Sequence, residues 1–232
     1  MYELLHFPDA SVQLLNFGAD FLLLRSDNET LLAQLGAAIY KENFDFVVEV
    51  IVTEKEICLQ LNNTFTSKHR KQLERLNLED CRSTRTYQLP VFFEDHPDWA
   101  TVENHSGQSK TEVVQALQQL ELNVAMFGFL PGFVYLKGLP QQLQVPRKKV
   151  PAKYVAAHSL AMGGPYLGVY SLDSPGGWQV IGKVATPLLQ WTKLPLVALH
   201  PGDRIRLQSI DQQDYQQLTQ QGVSIIDYNA EV

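Results

Sequence analysis

Residues able to do chemistry gather first in the loop Glu94–Ser106 (EDHPDWATVENHS), which holds Glu94, Asp95, His96, Asp98, Glu103 and His105. Asp98 and His105 stand seven residues apart, nearly two helical turns, so a helix started by Pro97 puts both on one face. There a carboxylate can orient an imidazole or raise its basicity, as acid–base chemistry requires. An exposed acidic loop with a helix cap explains the same residues equally well. His96 and His105 are nine apart with Pro97 between them, whereas a helical metal site places histidines three or four apart, so no metal site is expected.

A second group is basic. Val145–Lys153 (VPRKKVPAK) is held extended by its prolines, and Arg147 presents a planar donor fork suited to carboxylate or phosphate, with Lys148 beside it. A third group is aromatic and glycine-rich: Phe127–Leu139 (FGFLPGFVYLKGL) and Ser174–Gly182 (SPGGWQVIG). Their glycines either supply turn geometry while the rings fill a small barrel, or let a ligand approach the backbone beside an aromatic wall. The stretch Gly177–Lys183 (GWQVIGK) fits the opening of a phosphate-binding loop, but Val184 follows where Ser or Thr is needed, and no helix can open before Pro187. His6, His69, His158 and His200 occur alone, and neither a G-x-S-x-G elbow nor a Cys-His pair is visible, so covalent catalysis has no support.

The elements that must position these groups follow from the apolar pattern. Val12–Asn16 and Phe21–Arg25 read as strands, and a helix capped at Asp27 or Asn28 runs from about Glu29 to Tyr40 with apolar residues at helical spacing. Phe46–Val52 and Glu56–Leu61 suggest a hairpin, and Thr66–Leu76 a second helix. Leu78–Arg85 is polar and marks a domain boundary, after which Thr86–Phe93 is a strand and Lys110–Glu121 a helix capped by Ser109. From Met126 to Asp203, glycines and prolines punctuate short apolar runs, the pattern of a closed barrel. The expected fold is therefore a small α+β domain over 1–84, a mainly β barrel domain over 85–210, and a tail over 211–232 in which Asp214–Gln220 is helical and IIDY packs or adds an edge strand.

The chain has 232 residues, 45% hydrophobic and 19% charged, with a net charge of −6. That describes a globular protein with room for one large or two small domains. Its acidity argues against nucleic acid or anionic lipid as a partner. No apolar run reaches the roughly 20 residues of a membrane helix, and the first residues lack a signal peptide's pattern, so a cytoplasmic location is expected. The two cysteines, Cys58 and Cys81, are too few for a disulfide framework, and Cys58 reads as a core residue.

From Pro90 to Leu207 the chain resembles the family of the B subunit of ATP-hydrolysing 5-oxoprolinase, also called KipI-like or allophanate hydrolase subunit 1. The matching pieces are LPVFF, PDW with His105 and Ser106-Gly107, FGFLPGFVYLKGLP, VPRKKVP, GGPYLGVYSLDSPGGWQVIGK and HPGDRIRL, in that order. The first 85 residues resemble the family only in domain pattern. This resemblance implies a cyclophilin-like barrel, a groove lined by the motifs, and work in a complex that opens 5-oxo-L-proline to L-glutamate at the expense of ATP. The partners it implies are an allophanate hydrolase subunit 2-like protein, which is the C subunit of 5-oxoprolinase, and a third protein, the A subunit. It implies His105 with Asp98 as an acid–base pair and Arg147 with Lys148 as an anion clamp. Phe129, Pro131, Gly132 and Tyr135, with Gly176, Gly177, Trp178 and Gln179, would form groove walls. The alternative that the resemblance carries is a cytoplasmic regulator that inhibits a sensor histidine kinase. Three departures stand out: Ala152 replaces the usual arginine after the basic stretch, VAAHSL (Val155–Leu160) replaces the usual VPAGSV, and the usual glycine-rich loop before the family's aspartate is reduced to EDHPDW, with neither glycine present.

Overall fold

The computed structural model of the protein describes residues 3–8, 10–78, 85–192 and 196–230. It divides into two compact units, Met1–Ser83 and Thr84–Val232, each with an apolar core of its own. Cys81 and most of the expected boundary segment lie outside the described residues.

In the first unit, β1 (Glu3–Phe7), β2 (Ala10–Phe17), β3 (Phe21–Arg25), β4 (Val47–Val52) and β5 (Glu56–Leu61) form one antiparallel sheet in the order β1-β2-β3-β5-β4. Helix α1 (Glu29–Glu42) begins where the Asn28 side chain accepts the Leu31 N–H at 3.0 Å. Helix α2 (Ser67–Glu74) begins at Thr66, whose hydroxyl and the His69 ring cap each other's backbone N–H groups. Side chains alternate across a strand, so Leu22, Leu24, Ile57 and Leu59 are fully buried with Leu32 and Leu35 of α1, while Leu23 and Cys58 turn to the opposite face. Cys58 is thus not a core residue: it is half-buried, opposite Leu23 and Ile51 across the sheet. Strand β1 escapes a sequence reading because only two of its five residues, Leu5 and Phe7, are buried and Pro8 ends the pattern at once.

The second unit contains β6 (Thr86–Phe92), α3 (Trp99–Ser106), α4 (Lys110–Gln119), β7 (Leu122–Phe127), β8 (Val134–Lys137), β9 (Ala152–Val155), β10 (Ser159–Gly163), β11 (Tyr166–Val169), β12 (Ser174–Gly176), β13 (Gln179–Val184), β14 (Arg204–Ser209), α5 (Gln212–Gln221) and α6 (Ile225–Ala230). Seven of these strands close into a barrel in the order β10-β11-β8-β7-β14-β6-β13, with β13 returning to β10. Only β6 and β14 run parallel. Leu89, Leu122, Val134, Leu136, Leu160, Leu167, Ile181 and Ile205 fill the interior with no exposed surface. A capping box between Ser109 and Glu112 starts α4. The IIDY segment is helical rather than an edge strand. Ser224 accepts the Asp227 N–H at 3.2 Å, as a cap does, and Asn229 bonds the backbone of Gln88 in both directions, so a side chain satisfies the β6 groups that a new strand would have paired. No helix of the described residues is long and apolar enough to cross a membrane.

The barrel's outer surface carries a second, aromatic cluster. Tyr135, Gly168, Ala161 and Val180 lie in register on β8, β11, β10 and β13, so small residues occupy the middle of this outward row. A Cβ at Gly168 would stand 2.6 Å from both the Phe133 and Trp178 rings, and one at Gly163 would strike the Trp178 ring. These two glycines make the seat on which the tryptophan lies. The ribbon of β9 and β12 covers its border. Overpacking so tight a seat predicts that Gly168→Ala costs about 1–3 kcal/mol of stability in denaturant unfolding; an unchanged midpoint and slope would show that the rings can yield.

Candidate functional site

Trp178 follows directly on the turn at Gly176-Gly177 and is almost wholly buried, its ring meeting Phe133 and Tyr135 edge-on, both at 5.6 Å between centroids. Phe133 in turn meets Tyr170 at 5.1 Å and Phe129 at 5.4 Å, again edge-on. Edge-to-face packing aims the positive rim of one ring at the negative face of the next, so the set is self-consistent. Burial raises the pKa of Tyr170, against a hydrogen bond from the Trp178 backbone, and burial raises that of Tyr135, against the nearby Arg147 charge. Both phenols therefore stay protonated at neutral pH.

Above this wall stands Arg147. Its guanidinium carbon lies 5.5 Å from the centre of the Trp178 ring, a cation–π contact. Exposed and without a carboxylate partner among the described residues, it leaves its donor fork open to an anion. Lys148 is placed differently. Its ammonium sits 2.6 Å from Asp98, whose side chain is only 12% exposed and which also accepts the Val180 N–H at 2.8 Å. The Lys148 backbone N–H donates to the Gly177 carbonyl at 2.6 Å, and the Gln179 amide donates to Pro146 at 3.0 Å. Three ties thus fix the basic loop onto the wall and hold Arg147 over Trp178.

The pairing of Asp98 with His105 is not formed. Pro97 does precede a helix, but Asp98 is its N-cap and turns inward to Lys148 and Val180, with His96 Nδ1 at 3.4 Å. His105 is exposed near the other end of α3. Of the remaining expected residues, Phe129, Tyr135, Arg147 and Trp178 come together on the wall. Gln179 is 4% exposed with its amide engaged, and Gly132 faces Leu189 on the far side of its loop. Pro131 accepts the Ser171 hydroxyl at 2.6 Å, Gly176 lies against the Tyr170 hydroxyl, and Gly177 anchors Lys148, so these three shape the wall from behind. Sequence reasoning misses Phe133 and Tyr170, which complete the wall, and Gly163 and Gly168, which seat it. The GWQVIGK stretch lies mostly within strand β13, not in a loop that opens a helix. No group of three or more His, Cys, Asp or Glu among the described residues could hold a metal ion. A broad depression of about 590 Å³ on the first unit is lined in part by Arg25, but that guanidinium is engaged by Glu56 at 3.0 Å.

His158 occupies a left-handed conformation (φ 66°) at the opposite end of the β9–β12 ribbon from Gly177. Its N–H donates to the Tyr170 carbonyl at 2.6 Å and its carbonyl accepts the Val184 N–H at 2.9 Å, which holds the strained turn in place. By the resemblance drawn from the sequence, this is the position that the glycine of VPAGSV would occupy. Burial lowers the His158 pKa, against the Asp173 carboxylate, and the hydroxyl of Tyr154 is hydrogen-bonded to that same carboxylate.

The outer wall of the barrel thus carries an aromatic seat, an arginine without a carboxylate partner among the described residues, and a largely buried Asp–Lys tie. The family described as carboxyltransferase domain, subdomain C and D, matches residues 12–199. The chain is 41% identical to the 5-oxoprolinase B subunit of Escherichia coli O157:H7 over 125 residues, 53% of this chain and 57% of that protein. It is 34% identical to the 5-oxoprolinase B subunit of Bacillus subtilis (strain 168) over 160 residues, 67% of each. The crystal structure of TTHA0988 superposes with a TM-score of 0.74 at 27% identity, covering 82% of this chain and 40% of that one. The chain belongs to the 5-oxoprolinase B subunit, or KipI-like, family. It matches little more than half the length of the Escherichia coli relative. The barrel and its structural neighbours fit a cyclophilin-like fold.

Two outcomes follow from this geometry. Lys148→Met strands the Asp98 carboxylate in a largely buried position and should cost about 3 kcal/mol in denaturant unfolding, while Asp98→Asn combined with Lys148→Met should recover part of the loss; a neutral single variant would contradict the tie. For His158 the folded pKa lies below the ordinary value, so the unfolded chain binds the proton first. Its contribution is complete above the unfolded pKa of about 6.5 and is lost as pH falls toward the folded pKa. His158→Gly removes that loss and relieves the left-handed strain, so its melting temperature should exceed the native chain's, and by more at pH 5 than at pH 8; a difference independent of pH would remove the imidazole from the account.

Proposed function

We propose that this chain is a component of an ATP-dependent 5-oxoprolinase complex and that its outer groove binds the 5-oxo-L-proline ring. The observation that carries this reading is the unpaired Arg147 fork held over the Trp178 wall: the fork suits the substrate's carboxylate, and the rings suit its flat lactam. The relatives named as the B subunit of 5-oxoprolinase support the reaction. A lactam carbonyl is a poor electrophile because the nitrogen lone pair is delocalised into it. ATP would supply phosphoryl transfer to the carbonyl oxygen, which makes the carbon a better target for water and the nitrogen easier to release. The part assigned to this chain is binding and orientation, with Asp98 acting through Lys148 to fix the loop that carries Arg147. His105, exposed on α3, is the acid–base candidate for contact with a partner chain. The partners in this reading are an allophanate hydrolase subunit 2-like protein and the third protein of the complex.

The test is co-purification with an allophanate hydrolase subunit 2-like protein, then assay of 5-oxoproline-dependent ATP hydrolysis with every component present. Hydrolysis should require this chain, and Arg147→Ala should lower kcat/KM at least about tenfold, or ~1.4 kcal/mol. A chain that purifies alone and leaves hydrolysis unchanged would contradict the reading and favour the kinase-regulator alternative.

A further inference from the structure

The sheet of the first unit ends in two different edges. Strand β1 is guarded: Arg70 of α2 donates to the Leu4 carbonyl and to the Glu3 carboxylate, and Pro8 follows the strand at once. Strand β4 is bare. It pairs with β5 alone, and α1 meets it from the face of the sheet, where Gly36 lies against Val52. Strand edges in natural proteins are blunted by lysine, proline or a covering segment. Yet β4 reads VVEVIV, β-branched throughout except for one acid, with neither lysine nor proline.

The outward backbone groups of this edge can be located. The Thr53 N–H donates to the Glu56 carbonyl of β5 at 2.8 Å, and in an antiparallel ladder alternate residues point the same way. Ile51 and Glu49 therefore turn their N–H and C=O groups to β5, while Val50 and Val52 turn theirs outward. The bulge between Val47 and Glu49 leaves this stretch regular. The edge is also apolar, with Val48 59% exposed and Ile51 43% exposed. Charges of opposite sign flank it symmetrically: Asp45 and Lys55 are both exposed and lie five residues to either side of Val50.

We propose that β4 is a self-association edge, pairing antiparallel with β4 of a second copy of this chain about a two-fold axis at Val50. In that register Val50 exchanges N–H···O=C bonds with the partner's Val50, and each Ile51 stands opposite the partner's Glu49. The strand's one acid thus never faces its own copy, and Asp45 of each chain comes toward the partner's Lys55. Parallel pairing would instead bring like charges together, and on β1 the Leu4 carbonyl is already taken by Arg70. The two five-stranded sheets join as one. So short an edge buries less than a standard interface, so the association is weak, with Kd on the order of 10 μM. None of this depends on the substrate reading above.

The experiment is sedimentation velocity of the full chain under reducing conditions, from about 1 μM to about 200 μM. The native chain should pass from monomer to dimer across that range. Val50→Pro removes an outward N–H without touching the β5 ladder, and Ile51→Lys puts a charge on the edge; both should stay monomeric with unchanged far-UV circular dichroism. Should the proline variant fail to fold, Ile51→Lys decides alone. Asp45→Lys and Lys55→Asp should each weaken dimerisation about tenfold. An equimolar mixture of these two should restore it, because antiparallel pairing then sets every lysine against an aspartate. A native chain that remains monomeric at the highest concentration overturns the proposal. So does a dimer that survives Ile51→Lys, and so does a charge-swapped mixture that associates no better than its components.

Discussion

The aromatic outer wall depends on two missing side chains. Because Gly163 and Gly168 carry no Cβ, the Trp178 ring can lie directly on the strands of the barrel, and everything built above it takes its position from that contact. Phe133 and Tyr135 pack edge-on against Trp178, and Arg147 stands over its face. The barrel interior gives a rigid support of fully buried aliphatic residues, so the seat does not drift. The geometry of the wall is set by packing.

A second constraint locks the cationic side of the groove. The carboxylate of Asp98 comes from the start of α3, the ammonium of Lys148 from the loop before β9, and the N–H of Val180 from β13, so one largely buried anion ties three separate pieces of the unit together. Breaking such a tie leaves an uncompensated charge, which explains why the pair belongs to the architecture and not to the open chemistry of the groove. Arg147, one residue away, is left exposed and available as a consequence.

Local features are legible in the sequence. Helix α1, strands β3 and β5 and the caps at Asn28 and Ser109 depend on neighbours within a few residues, and the pattern of glycines and prolines announces the barrel. The aromatic and basic motifs that line the groove are legible in the same way. Contacts between distant residues are not. The seven-residue spacing of Asp98 and His105 suggests a pair, but the carboxylate turns to a lysine fifty positions on, and nothing local signals that choice. Likewise a glycine does not announce which ring it faces, so the sequence leaves Gly163 and Gly168 unmarked. Ser224 and Asn229 make a helix of a segment whose composition also suits a strand.

The central claim is that Arg147 and the Trp178 wall together form a site for a small ring carboxylate. A crystal structure of the chain with 5-oxoproline tests it most directly. The account predicts density for the ligand with its carboxylate on the Arg147 fork and its ring beside Tyr135 and Phe129, and no movement of Trp178 from its glycine seat. Ligand density elsewhere, or an Arg147 that points away from an occupied groove, would contradict it.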